Sequence, residues 1–362
     1  MVDIVTTSNF HATLLPGLVS VVFVPTEHIY RSSWPLLNLL LYSGCSFDDN
    51  ERGCRRTDSH VCRSMVTEIF SMVSDREGVT LFMDPNGIEM FRRAGMGDLI
   101  TVAPLSWRAI QIHLGPMVAE FPGVVSFLSK LLADERISIL NMSTYDTDVM
   151  FVQEVDLDAA ILCLQSKLSR GLHGLKEARD AESALLDHDQ VATTTDAEEG
   201  SDEAAILELP RVGDGQFLTV YSESFVLVRL QKDALRASAY GLTQLVLSSS
   251  GSASGEMSFW CCCETAEEVS LIMDVRCVPS FENNSLIVSP DRWRAIKLSG
   301  RTYGFDETGV VAAMSGCSTD TQVLNVSCFG SNVAFVLDDL LDVAIETLCS
   351  SLDISRVERP TM

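Results

Sequence analysis

Positive charge is scarce in this chain. Its 362 residues include 26 Lys and Arg but 50 Asp and Glu, which gives a formal net charge of −24 at pH 7. A surface of this sign repels nucleic acid and anionic lipid, so we expect neither as a partner. It is compatible with a cationic small molecule or with a basic protein surface.

Long hydrophobic runs are also missing. The most apolar short stretch, WPLLNLLLY at residues 34–42, is far shorter than the roughly 20 apolar residues of a membrane-spanning helix. The N-terminal stretch MVDIVTTSNFHATLLPG has no basic segment followed by an apolar one, so no signal peptide is expected. We therefore predict a cytosolic protein.

The length of the chain is too great for one ordinary core and predicts two or more modules.

Sequence motifs of catalysis are absent. The chain contains no P-loop, no G-x-S-x-G motif and no paired metal ligands of the usual spacing. None of the six histidines forms a pair at helical metal-ligand spacing, and His113 is expected to be a partly buried structural residue. The sequence therefore favours a binding protein without cofactor or metal over an enzyme.

The eleven cysteines do not show the spacing of a small disulfide scaffold. Three of them are consecutive, Cys261 to Cys263, and adjacent residues of a strand point to opposite faces, so they cannot serve one site. We expect reduced thiols. A metal site from Cys54, His60 and Cys62 is an alternative, but no C-x-x-C pair supports it and a solvated loop is favoured.

The chain contains an internal duplication. The tetrapeptide WRAI occurs at 107–110 and again at 293–296, and residues 137–161 align without a gap to residues 321–345. The spacing between the copies is two residues shorter in the second match than in the first, so one two-residue deletion accounts for both. Each copy shows the pattern strand, helix, strand, strand, helix, and one further strand would complete a βαββαβ unit of the ferredoxin-like kind.

A second, weaker pair of similar segments precedes these copies, one segment before each. Residues 19–43 parallel residues 224–248, and each segment is followed by a strand that ends in TLFMD (80–84) or SLIMD (270–274). We therefore predict an α+β fold of four tandem ferredoxin-like units in two related halves. The expected boundaries are 14–106 for unit A, 107–169 for unit B, 170–213 for a flexible acidic linker, 214–292 for unit A′ and 293–355 for unit B′.

Four tandem βαββαβ units resemble the ACT family of small-molecule-sensing modules, so the units are expected to be ACT-like. The segments ISILNMSTYDTDVMFVQEVDL and GFDETGVVA are similar to the CASTOR family of cytosolic arginine sensors, whose members carry STYxTDF and GFDExGIVA at these places. The similarity covers B and B′ well and A and A′ diffusely.

This resemblance implies a switch rather than a reaction. A free amino acid of the arginine type would bind between B and B′. The ligand-free sensor would bind the GATOR complex upstream of TOR kinase, and the ligand would release it. The resemblance also suggests a homodimer through the A-type units.

The resemblance implies the ligand site residues. Glu307 would take the ligand ammonium, and backbone near Gly304 would take its carboxylate. The opposite wall would be Ser138 and Ile139. Phe121 stands in B where Glu307 stands in B′, which favours one asymmetric site per chain.

The side-chain end of this site departs from the family pattern. The family has a Thr-Phe pair followed by an aspartate, where this chain has Cys328, Phe329 and Asn332. A carboxylate accepts two charge-assisted hydrogen bonds from a guanidinium, whereas asparagine offers one acceptor oxygen. Arginine is therefore expected to bind more weakly, unless another acid such as Asp148 compensates. A neutral polar amino acid, or no ligand at all, stays open.

The turn STYDTD carries a second expectation. In the family, the residues that correspond to Tyr145, Asp146 and Asp148 contribute to partner binding, and this chain has Asp146 where the family has Gln. The same residues are also typical of a surface β-turn. A ligand-free adaptor that keeps the partner surface and lacks a working pocket is the alternative to the sensor.

Overall fold

The computed structural model describes residues 11–42, 69–113, 123–168, 171–175, 215–249, 259–282, 284–318 and 321–359. The strands in these ranges belong to one continuous, mostly antiparallel sheet system. No helix within them is both long and apolar enough to cross a membrane. The acidic run expected to be a flexible linker, the residues Cys54, His60 and Cys62, and Phe121 lie outside the described residues.

Unit A follows the expected βαββαβ order. Its elements are β2 (Val19–Pro25), α1 (Thr26–Ile29), α2 (Ser33–Tyr42), β3 (Phe70–Ser74), β4 (Gly78–Met83), α3 (Pro85–Arg93) and the start of β5 (Thr101–His113). Strand β4 lies between β2 and β3, and the first part of β5 pairs with the other edge of β2.

Unit B shares β5 with unit A. Its own elements are α4 (Val124–Asp134), β6 (Ile139–Ser143), β7 (Thr147–Gln153), α5 (Leu157–Gln165) and β8 (Leu172–His173). The second part of β5, from Trp107 onward, pairs with β7. One long strand therefore serves two units, so the boundary between A and B falls inside a strand.

An N-terminal strand completes unit B. Strand β1 (His11–Leu14) pairs antiparallel with β5 and parallel with β8, although the sequence placed residue 14 in unit A and residue 172 in the linker. The half-buried ring of His113, on β5, stacks on His11 at 4.5 Å between ring centroids, and burial lowers the pKa of His113. The sequence misplaced residues 14 and 172 because these short strands form through long-range pairing, which satisfies their backbone hydrogen-bonding groups.

The second half repeats this arrangement. It comprises β9 (Phe217–Val220), β10 (Phe225–Leu230), α6 (Ala239–Ser248), β11 (Trp260–Glu264), β12 (Val269–Asp274), β13 (Leu286–Val288), β14 (Trp293–Ser299), α7 (Val310–Ser315), β15 (Leu324–Cys328), β16 (Ser331–Leu337), α8 (Leu341–Ser351) and β17 (Val357–Glu358). Strand β9 pairs with β14 and β17, as β1 pairs with β5 and β8, so β9 belongs with B′ and not with A′ as expected. A 3₁₀ segment, Val275–Ser280, replaces the second helix of A′.

The halves meet strand to strand. Strands β3 and β11 pair antiparallel and join A to A′, whereas β6 and β15 meet at Met142 and Val326 and join B to B′.

The cysteine run lies on β11, where Cys261 and Cys263 face one core and Cys262 faces another, as strand alternation predicts. All cysteines in the described ranges are free thiols, and burial raises the pKa of Cys261 to about 12.

One hydrophobic core draws on residues of the segments named A, B, A′ and B′. Both tryptophans of the WRAI copies, Trp107 and Trp293, are fully buried in it. Phenylalanines from the four units pack with them: Phe82, Phe151, Phe225 and Phe335. The units are therefore packed as one body, and residues of A and A′ pack against B and B′ in the same core.

Candidate functional site

Equivalent residues of the duplication join B to B′. The backbone N–H of Asn141 donates to Ser327 Oγ at 2.9 Å, and the backbone N–H of Asn325 donates to Ser143 Oγ at 3.0 Å. Asn141 aligns with Asn325 and Ser143 with Ser327, so the two hydrogen bonds are related by the internal repeat. The contact is therefore approximately twofold symmetric, and cavities on its two sides can be compared residue by residue.

One cavity, here called the Glu307 cavity, lies between the start of β6 and the loop that precedes α7. It is small and partly open, with a volume of about 20 Å³ in this conformation. Six of the seven expected ligand residues line it: Ser138, Ile139, Gly304, Glu307, Cys328 and Asn332. The fold thus brings together residues that are far apart in the sequence.

The carboxylate of Glu307 is already engaged. It accepts the backbone N–H of Gly304 at 2.7 Å and pairs with Arg301, whose Nη2 lies 2.6 Å from Oε2. The Arg301 guanidinium also lies over the ring of Tyr303, at 4.3 Å from its centroid. Sequence reasoning missed Arg301, although a basic residue six positions before the acid was a signal. A ligand ammonium must share Glu307 with Arg301 or displace it.

Two hydrogen bonds tie the Glu307 loop to unit B. Ser138 Oγ donates to the carbonyl of Glu307 at 3.0 Å, and Gln153 Nε2 donates to the carbonyl of Phe305 at 2.6 Å. Ser138 therefore holds the loop through its side chain and also lines the cavity. Gln153 was not expected from the sequence, because its partner lies in another unit.

The amide of Asn332 serves the protein itself. It is 1% exposed, donates to Asn325 Oδ1 at 2.9 Å and accepts from Asn325 Nδ2 at 2.8 Å. It also donates to Ser327 Oγ at 3.2 Å. Asn332 thus completes a reciprocal amide pair and adds no charge to the cavity.

Phe329 lies elsewhere than expected. Its ring stacks on Phe23 of unit A at 5.2 Å and meets Phe305 edge-on at 5.1 Å, and its N–H donates to Thr80 Oγ1 at 2.9 Å. It does not line the Glu307 cavity. The physical reason is that the turn after β15 packs against unit A, so the ring is drawn into that contact. Cys328, one residue earlier, is buried, and burial raises its pKa.

The turn expected to bind a partner lies against unit A′. The N–H of Tyr145 donates to Ser270 Oγ at 2.8 Å, and Asp146 pairs with Arg229 at 2.8 Å. Both residues are half-buried. Tyr145 aligns with Phe329 and Ser270 with Thr80, so this contact repeats the one between B′ and A.

Asp148 differs from the other two residues of that turn. It is 6% exposed, and Ser143 Oγ donates to its Oδ1 at 2.5 Å. Burial raises the pKa of Asp148 to about 6. Its expected role in partner binding stays a prediction, although little of its side chain is available to a partner protein in this conformation. The reason is that it lies on the inner side of β7, where it contacts β6.

Parts of the chain are similar to known proteins. Residues 102–166 and 288–350 match the family model of the ACT domain. The chain is 24% identical over 308 residues to the "Cytosolic arginine sensor for mTORC1 subunit 1" of Mus musculus, covering 79% of this chain and 86% of that protein. The protein of the same name from Homo sapiens is 25% identical over 304 residues, covering 78% and 85%.

Among solved structures, an aspartate kinase from Synechocystis aligns over 97% of this chain and 57% of its own at 12% identity. Its TM-score of 0.31 is too low to carry an argument about fold or function. The sequence matches show an ACT-type fold, which here is a mixed α/β architecture around an antiparallel sheet. The two matched segments supply the two walls of the Glu307 cavity.

Proposed function

We propose that this chain is an amino-acid sensor of four ACT-type modules, with its ligand site in the Glu307 cavity. The observation that carries the proposal is the cavity itself, which joins Ser138 and Ile139 of one ACT-matched segment to Gly304 and Glu307 of the other. The similarity to proteins named as arginine sensors supports an amino acid as ligand. The ligand's ammonium pairs with Glu307, and its carboxylate lies near the backbone of Gly304.

Ligand binding acts through the loop that carries Glu307. An ammonium at Glu307 competes with Arg301, so the bound and free states differ in what holds residues 301–307. A ligand shifts such an equilibrium only through its different affinity for the two states. The switch regulates TOR kinase signalling in the cytosol through the GATOR complex. Tyr145 and Asp146 lie on the surface that binds this partner. The chain forms a homodimer through the A-type units.

The second candidate is a ligand-free adaptor with the same partner surface. One observation favours it: Glu307 is paired with Arg301 and Asn332 with Asn325, so both polar groups are satisfied without a ligand. An adaptor would bind its partner equally well with and without amino acids.

Calorimetry of the full chain against each of the twenty amino acids separates the candidates. We expect at least one to bind, and Glu307→Gln to weaken it at least ten-fold, because the ammonium loses its charged partner. Glu346→Gln, at an exposed position of α8, is the matched control and should leave binding unchanged. Absence of binding by all twenty would favour the adaptor.

A further inference from the structure

A second cavity lies on the other side of the B–B′ contact. It is also small and partly open, with a volume of about 20 Å³ in this conformation. Its lining, which includes Ser126, Thr144, Asp148, Ser315, Gln322 and Val323, defines what we call the Asp148 cavity. Gln322 and Val323 align with Ser138 and Ile139, and Asp148 aligns with Asn332. The two cavities are therefore copies of one site in an internal duplication.

The copies differ in charge. Where the Glu307 cavity has the neutral amide of Asn332, this one has the carboxylate of Asp148. The hydroxyl of Ser143 and the amide of Asn141 contact that carboxylate, and both are neutral. A buried carboxylate without a cation is unfavourable, which is why its pKa is raised. A cationic ligand group would supply the missing charge.

Two further groups face this cavity. Ser315 is 2% exposed, and its hydroxyl has no hydrogen-bond partner within the described ranges. Helix α4 begins here after Gly123, whose φ of 83° lies in the left-handed region that glycine adopts freely, and no described side chain caps it. A helix N-terminus offers backbone N–H groups and partial positive charge to an anion. The cavity thus combines a site for a cation with a site for an anion.

We propose that the Asp148 cavity is a second ligand site, for a basic amino acid whose cationic side chain pairs with Asp148 and whose carboxylate lies at the start of α4. Ser315 donates a hydrogen bond to the ligand carboxylate. The Glu307 cavity is not required for this site, because the two cavities use different residues. The chain then has two ligand sites, and only this one requires a positive side chain.

Calorimetry of the full chain with arginine and with citrulline tests the proposal. Citrulline has nearly the shape of arginine but a neutral side chain. We expect Asp148→Asn to weaken an arginine-binding event at least ten-fold, and to leave citrulline binding unchanged. Asparagine is already accommodated at the equivalent position 332, so the variant should fold. Agmatine, which is arginine without its carboxylate, should bind more weakly than arginine.

Two more variants keep the result interpretable. Val323→Phe fills the cavity from the opposite wall and should also weaken arginine at least ten-fold. Glu307→Gln should leave the Asp148-dependent event intact, whether or not the Glu307 cavity binds an amino acid. The proposal is overturned if arginine does not bind at millimolar concentration, or if Asp148→Asn and Val323→Phe leave its affinity unchanged. It is also overturned if Glu307→Gln alone removes all arginine binding.

Discussion

At the residue scale, Asp148 and Asn332 occupy equivalent positions in two copies of one strand pair and make different contacts. Asn332 forms two reciprocal hydrogen bonds with Asn325, whereas Asp148 is contacted by Ser143 and Asn141. A neutral amide suits burial, and a lone carboxylate does not. The two copies therefore differ at this position in the charge of the side chain, because a carboxylate and an amide have nearly the same shape.

The first prediction concerns pH and stability. The pKa of Asp148 rises from 3.8 to about 6 in the folded protein, chiefly through burial, and no charged side chain in the described ranges contributes to the shift. Because this acid pKa is raised on folding, stability is intact below about pH 4, falls as the pH rises from about 4 to about 6, and stays lower above that. Asp148→Asn should therefore raise the free energy of unfolding by up to about 3 kcal/mol at pH 8.

Urea unfolding at pH 4 and pH 8 measures this. The gain from Asp148→Asn should vanish at pH 4. Asn332→Asp is the mirror control, and it should destabilise the protein more at pH 8 than at pH 4. Equal effects of Asp148→Asn at both pH values would contradict the assigned cause.

A second prediction at this scale concerns ligand preference in the Glu307 cavity. Asn332→Asp introduces a carboxylate that can pair with a guanidinium, and Asn325 can still donate a hydrogen bond to it. Arginine affinity should increase at least ten-fold, or about 1.4 kcal/mol, with little change for a neutral amino acid. Titration of the variant with arginine and citrulline gives the comparison, and an unchanged arginine affinity would place the guanidinium elsewhere.

At the element scale, strand β14 is tied to the β3–β4 turn by a buried ion pair. Lys297 Nζ lies 2.7 Å from Asp75 Oδ2 and 2.9 Å from Glu77 Oε1. The side chains of Lys297 and Asp75 are each 5% exposed. The corresponding residue of β5 is Gln111, which has no charge and cannot form the same ion pair between B and A′.

Lys297→Met should lower the free energy of unfolding by about 3–5 kcal/mol, because it leaves the Asp75 carboxylate buried without its cation. Arg359→Met removes an exposed pair with Asp342 and should cost less than about 1 kcal/mol. Denaturant titration of both variants at one pH provides the measurement. Similar losses for the two would mean that the buried pair contributes no more than a surface one.

At the scale of the whole molecule, the four units share one core. Phe225 of A′ meets Phe335 of B′ edge-on at 5.4 Å, and Phe82 of A stacks on Phe151 of B at 4.7 Å. Strand β5 belongs to two units at once. These features predict that the chain unfolds cooperatively and not unit by unit.

Phe335→Ala tests cooperativity. Loss of this buried ring should cost about 3–5 kcal/mol. Hydrogen exchange followed by mass spectrometry should show the same loss of protection in β4 of unit A as in β16 of unit B′. Faster exchange confined to B′ would indicate that the units open separately.

The sequence alone determined the internal repeat, and with the family resemblance it named six residues that line one cavity. Glu307, Gly304 and Ser138 could be named because the local motif GFDETG and the segment around Ser138 resemble a known family, and hydrophobic periodicity located most helices and strands. The tertiary structure alone decided that Arg301 pairs with Glu307, that Phe329 turns toward unit A, that Asp148 is buried, and that β1 and β9 complete B and B′. Local patterns report which face of an element is apolar. Strand partners and ion pairs depend on how the chain packs in three dimensions, whether the partners are six residues apart, as Arg301 and Glu307 are, or lie in different units, as Phe329 and Phe23 do.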